Sequence, residues 1–183
     1  MEATDLTPRL PDLTSLALRG AMPELRGDPA DLVASGLVAQ TKAGYMLTAK
    51  GRQIQAKLVA VENSAADLSA IQQIYQRFLA VNGVFKAHAA AWIPAGSDSR
   101  FMLLGSIERC VDRVRPVLRR TAAQLPRFGE YAPRLHDALA RSLGGELDYV
   151  VSPRVDSIHS IWMECHEDYL QTLGISREEE GSY

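Results

Sequence analysis

The sequence predicts a mainly α chain with one small β-hairpin near its N-terminus and a helical bundle after it. Three observations carry that expectation. From Arg52 onward apolar residues recur at three- and four-residue intervals: Ile54, Leu58 and Val61, then Leu68, Ile71, Ile74, Tyr75, Phe78 and Leu79. That is the period of one helix face. Leu37-Val38 and Tyr45-Met46-Leu47 are β-prone runs on either side of the polar Gln40-Thr41-Lys42-Ala43-Gly44, the pattern of a tight hairpin. Hydrophobic residues make up 46% of the 183-residue chain, enough for a packed core and too many for a disordered one.

The elements follow in order. Pro8 and Pro11 give an extended lead, after which Asp12 or Thr14 can cap a first helix through Leu13, Leu16, Ala17 and Leu18, ended by Gly20. Met22-Pro23-Glu24-Leu25-Arg26 reads as a short second helix or turn. Asp28 before Pro29 opens a third helix to about Ser35, with Gly36 as its cap. After the hairpin, Thr48 caps a helix beginning near Ala49. Asn63 to Asp67 is the expected break, with Ser64 as the next cap, and Asn82-Gly83 is expected to bend or end the helix that follows. Pro94 to Asp98 is a loop. Ser99 to Leu125 reads as a long helix with Phe101, Leu104, Ile107, Val111, Val114 and Leu118 inward, kinked or restarted at Pro116. Tyr131 to Leu143 is another helix, Asp148 to Pro153 an irregular connection, and Arg154 to Leu173 the last helix before Gly174.

Helix, hairpin and return into helix over Leu32 to Arg52 is the sequence form of a winged helix. Ser35-Gly36-Leu37-Val38, a glycine-ended wing and Leu47-Thr48-Ala49-Lys50-Gly51-Arg52 follow one another as they do in the winged helix-turn-helix domains of bacterial transcription regulators, which this segment resembles. The expected organisation is a winged helix over residues 1–60 and a ligand-sensing or dimerising helical bundle over 61–183, with a solvated acidic tail at 176–183.

The net charge of −2 provides no global basic field for nucleic acid or an anionic membrane, so any DNA contact must be local. The candidates are Arg19, Arg26, Ser35, Lys42, Lys50 and Arg52. The third helix itself offers Asp28, Ala30, Asp31, Ala34 and Ser35, a poor set for base edges. Its shortness and its carboxylates keep open a winged helix that binds no specific DNA. The arginine run of Arg109, Arg113, Arg115, Arg119 and Arg120 is either an anion-binding face or a solvated one paired with Glu108 and Asp112. Cys110 and Cys165 lie far apart without metal-ligand spacing, which favours reduced thiols in a cytoplasmic protein. No stretch approaches the ~20 apolar residues of a membrane span, and the acidic start around Glu2 and Asp5 does not read as a signal peptide.

In the last helix Asp156, His159, Met163 and His166 recur at three- and four-residue steps beside Trp162. A buried polar stripe must be satisfied by hydrogen bonds, and a small-molecule pocket is one way to do so, with Asn82, His88 and Trp92 as opposing walls. Two histidines seven residues apart do not make the usual metal clamp. Neither a metal nor another cofactor is expected, and no catalytic motif is present. Pro153 to Gly174, with Leu125-Pro126-Arg127-Phe128-Gly129-Glu130-Tyr131 and Pro133-Arg134-Leu135, also looks like a group of actinobacterial proteins that pair a winged helix with a helical domain. Members stand alone or are appended to pyruvate phosphate dikinase-like enzymes. The resemblance spans most of the chain; it implies a regulatory or ligand-responsive module and supplies no catalytic residues.

The expected function is therefore a transcriptional regulator, not an enzyme. Double-stranded DNA and a small ligand are the expected partners, with a homodimer reading two half-sites and a ligand shifting the bundle between two packings. The alternative is a regulatory module that binds a protein partner or small ligand through its bundle without binding DNA.

Overall fold

The computed structural model describes residues 3–180 and is mainly α. It divides into two compact units, the first ending at Ala66 and the second beginning at Asp67.

In the first unit a 3-10 turn, Ala3–Arg9, leads into α1 (Leu10–Arg19), whose Leu10, Leu13 and Leu16 are buried. Asp12 and Thr14, expected as caps, lie inside α1 because the helix begins earlier, with Pro11 in its first turn. Met22–Arg26 is not a helix. Met22 instead exchanges two backbone hydrogen bonds with Tyr45, at 3.0 and 2.8 Å. A single turn, α2 (Ala30–Ala34), follows, with Asp28 Oδ1 accepting from the Ala30 N–H at 2.9 Å. The wing is the antiparallel pair β1 (Val38–Thr41) and β2 (Gly44–Leu47), in register Val38↔Leu47 to Thr41↔Gly44.

Two glycines are demanded by close backbone approach. Gly44 has φ +106°, and a Cβ there would sit 2.2 Å from the Met22 carbonyl oxygen. Gly51, in α3 (Ala49–Ala65), would place a Cβ 2.0 Å from the Leu37 carbonyl oxygen. Thr48 ties the same corner: its hydroxyl accepts from the Gly51 N–H at 3.0 Å and donates to the Gly36 carbonyl at 2.7 Å. The core joins Leu6, Leu13, Leu16, Leu32, Leu37, Leu47 and Leu58. This is a winged helix with a one-turn second helix.

Ser64 lies within α3, and Asp67 is the next cap, its carboxylate accepting from the Ala70 N–H at 3.0 Å. In the second unit α4 (Leu68–Trp92) continues through Asn82-Gly83, which does not end it. Asn82 faces the core while Gly83 is exposed, and an exposed helical glycine costs only ~1 kcal/mol. Then come α5 (Ser97–Ala122), with Pro116 inside it, a 3-10 turn over Pro126–Glu130, and α6 (Tyr131–Leu143). The connection expected to be irregular contains one helical turn, α7 (Asp148–Val151). The last long helix, α8 (Ile158–Leu173), starts after Asp156, capped by Ser157 and closed by Gly174 in the left-handed region.

Phe101, expected in the core, is 83% exposed. At about 100° per residue it points far from the direction shared by Leu104, Ile107, Val111, Val114 and Leu118, which are buried. Of the acidic tail, residues 181–183 lie outside the described residues. Arg177–Glu180 forms a turn, α9, and the Glu180 side chain is buried against His166 instead of solvated. Among the described residues no helix is long and apolar enough to cross a membrane.

Candidate functional site

The six residues expected to meet DNA fall into two sets. Lys42 stands exposed at the tip of the wing, and Arg52 is exposed on α3. The others are engaged within their own unit or partly covered. Arg26 bridges to Asp12 at 3.2 Å and donates to the Ser15 hydroxyl at 3.0 Å. Lys50 donates to the Ser35 carbonyl at 2.8 Å, and the Ser35 hydroxyl to the Leu32 carbonyl at 3.0 Å. Arg19 is half-buried at the end of α1. On α2, Asp31 is exposed and lies 3.6 Å from Arg9. A helix of five residues is about 7.5 Å long, which is short for a groove about 12 Å wide. The unit thus exposes Lys42 on the wing and Arg52 on α3, and its one-turn α2 exposes few of the side-chain types that pair with base edges.

The eight residues expected to line a pocket are divided among several neighbourhoods of the second unit. Trp162 is fully buried, stacked on Phe85 with ring centroids 4.0 Å apart, and its indole N–H donates to Asn82 Oδ1 at 2.9 Å. His159 lies on the same Phe85 ring at 6.3 Å and is half-buried, which lowers its pKa. Phe78, Tyr75, Tyr169 and Phe128 extend this ring cluster. Rings and a matched amide–indole pair thus fill the contact between α4 and α8. His88 and Met163 are partly exposed, and Trp92, at the end of α4, carries the Arg100 guanidinium 5.4 Å above its ring.

His166 is buried. Its Nε2 lies 2.8 Å from Glu180 Oε1 and 3.1 Å from the Tyr75 hydroxyl, while Nδ1 has no partner among the described residues. A neutral ring satisfies this arrangement with its one N–H on Nε2 and a bare lone pair on Nδ1. Burial is the main cause that lowers its pKa to about 4, with Arg177 and Lys86 adding to it.

Asp156 sits before α8 and belongs to a different cluster, one that sequence reasoning missed. Arg134 of α6 donates to both Asp156 oxygens at 2.9 Å and to both Glu164 oxygens at 2.8 and 2.7 Å. The Glu164 side chain is 1% exposed. Burial alone would lower the Arg134 pKa; the hydrogen bonds to Glu164 and Asp156 reverse that and raise it above its ordinary value. A second buried cluster joins Arg127, Asp168, Tyr131 and Thr172. Arg127 Nε donates to Asp168 Oδ1 at 3.1 Å, the Tyr131 hydroxyl donates to Oδ2 at 3.0 Å, and Arg127 also donates to the Thr172 hydroxyl. Burial pushes the Asp168 carboxyl up and Arg127 opposes it. The thiols of Cys110 and Cys165 are buried and free, and burial raises both.

A signal for the second cluster was present. Ile158, Ile161, Trp162, Cys165, Tyr169 and Leu170 span about half of the circumference of α8 at about 100° per residue. Asp168 falls at the edge of that arc, whereas Glu164 lies outside it and is buried by tertiary packing. Buried carboxylates require cations, and Arg127 and Arg134 stand in the segment just upstream. With its donors spent on two carboxylates, Arg134 clamps α6 to α8 and to the turn before it. No family model, curated protein or solved structure matches this chain.

Proposed function

We propose that the chain is a cytoplasmic regulatory protein of the winged-helix type, as its resemblance to bacterial regulators implies. Its N-terminal unit holds duplex DNA by phosphate contacts from the wing and α3. The second unit supplies dimerisation, so that two copies engage two sites, and is where a small ligand would act. The observation that supports this reading is the placement of charge: Lys42 and Arg52 are exposed on the wing and α3, while the one-turn α2 exposes Asp31. Such a surface favours backbone contact over base readout, so binding is expected to be weak, salt-sensitive and nearly indifferent to sequence.

Fluorescence anisotropy of the full chain, with two duplexes of unrelated sequence at low and near-physiological salt, tests this. Lys42→Glu combined with Arg52→Glu should cut low-salt affinity at least tenfold and flatten the salt slope by about two. Unchanged low-salt binding by the double variant rejects the role given to the wing. A second reading, a module for a protein partner or ligand with the winged helix as scaffold, draws on α2 alone, too short and too acidic for a groove. No binding of either duplex at low salt selects it.

A further inference from the structure

We infer that the N-terminal half of α5 is a homodimer interface, on which two copies pack antiparallel about a two-fold axis near Gly105. The inference deepens the dimer part of the proposed function and does not depend on the DNA-binding part.

The outer face of α5 is unusual for a helix in contact with water. Phe101 and Met102 are 83% and 76% exposed, and Leu143, at the end of α6, is 54% exposed. Together with Gly105, Ser106 and Arg109 they line an open groove of about 550 Å³. Phe101, Met102, Gly105 and Arg109 share one helix face by their spacing. An apolar pair this exposed beside a groove is a feature of interaction sites.

Gly105 adds an independent observation. It lies inside a 26-residue helix, where glycine costs ~1 kcal/mol against alanine. Among the described residues nothing requires the missing side chain, because an added Cβ would meet only the flexible end of Arg109 there, at 3.8 Å. A glycine that its own chain does not need suits the close approach of another helix.

Charge identifies the occupant as a second copy and fixes its direction. The face begins with Asp98 and carries its exposed arginines, Arg109 and Arg113, toward its C-terminal end, beside Glu108 and Asp112. Parallel copies would stack arginine on arginine. Antiparallel copies crossing at Gly105-Ser106 bring Asp98 of each opposite Arg113 of the other, and Arg109 opposite Phe101 and Met102. There its aliphatic stem covers apolar surface and its guanidinium meets a ring face. Asp112, next to Arg113, is already engaged by Arg115 of its own helix at 3.3 Å. Two-fold symmetry makes every such contact twice.

Sedimentation equilibrium of the full chain without DNA tests the interface. The wild type should be a dimer at micromolar concentration. Phe101→Glu and Gly105→Leu should each raise the dissociation constant at least tenfold while leaving helical circular dichroism unchanged. Arg113→Asp should weaken the dimer, and combining it with Asp98→Arg should restore it, an outcome that misfolding cannot mimic. Ser106→Cys should give a disulfide-linked dimer on mild oxidation. A wild type that stays monomeric to ~100 μM, or a dimer indifferent to Phe101→Glu and to the charge exchange, overturns the inference. Because no DNA is present, its failure is separate from failure of duplex binding.

Discussion

The two units solve the problem of polar groups in opposite ways. The winged helix has a leucine-rich core closed by backbone and hydroxyl hydrogen bonds, and each of its Arg9 and Arg26 ion pairs includes a side chain that still meets water. The helical unit encloses both partners of Arg127–Asp168 and Arg134–Glu164 among aromatic rings. The difference follows from size. A unit of some sixty residues buries a smaller share of its surface and cannot offset the several kcal/mol that desolvating each ion requires. The larger unit can, and in return its helices gain charged contacts with a defined geometry. Mutations and pH should therefore strike the two units unequally.

The largest contrast is expected at Arg134. Arg134→Met removes the guanidinium that bonds both oxygens of the buried Glu164 and should remove about 3–5 kcal/mol from the second unit in urea denaturation. Adding Glu164→Leu should recover most of that loss. A loss within about 1 kcal/mol for the single variant would show that Glu164 reaches water and would erase the contrast.

Acid should act on the same unit. The folded-state pKa of His166, about 4, lies below its ordinary value near ~6.5, so the unfolded chain takes up the proton first. Its contribution is fully present above pH ~6.5 and is lost as the pH falls toward 4. His166→Asn should flatten that part of the stability profile; an unaltered slope would reject the assignment to this ring.

The smallest effect is expected in the winged helix. Gly51→Ala forces a Cβ onto the Leu37 carbonyl and should cost about 1–3 kcal/mol. Hydrogen exchange should show the loss in amides of β1, β2 and α3, with those of α8 unaffected. Equal loss of protection in α8 would mean that the two units unfold as one.

Legibility in the sequence follows the same division. Gly36, Thr48 and Gly51 act within a few residues of themselves or on the adjoining strand, so their spacing alone outlines the winged helix. The Met22–Tyr45 bridge was not legible because one isolated bridge leaves no alternating pattern. Asn82-Gly83 misled because a local helix breaker is outweighed by an apolar face that continues on either side of it. On α8 the burial of His166 follows from its neighbours, whereas its Tyr75 and Glu180 partners come from elsewhere in the chain and depend on tertiary packing. Arg127 and Arg134 stood out only as members of a resemblance; their role emerges once α6 lies beside α8.

The positions of Trp92 and Trp162, the chain's two tryptophans, have a spectroscopic consequence. Both belong to the helical unit, one beneath a guanidinium and the other stacked on Phe85 with its indole N–H bonded to Asn82. Emission excited at the red edge of the indole band therefore reports on that unit alone, and the winged helix contributes no indole signal. An emission melt set beside a peptide-band melt of the same sample would resolve the two unfolding transitions in the intact chain, with no need to cut it.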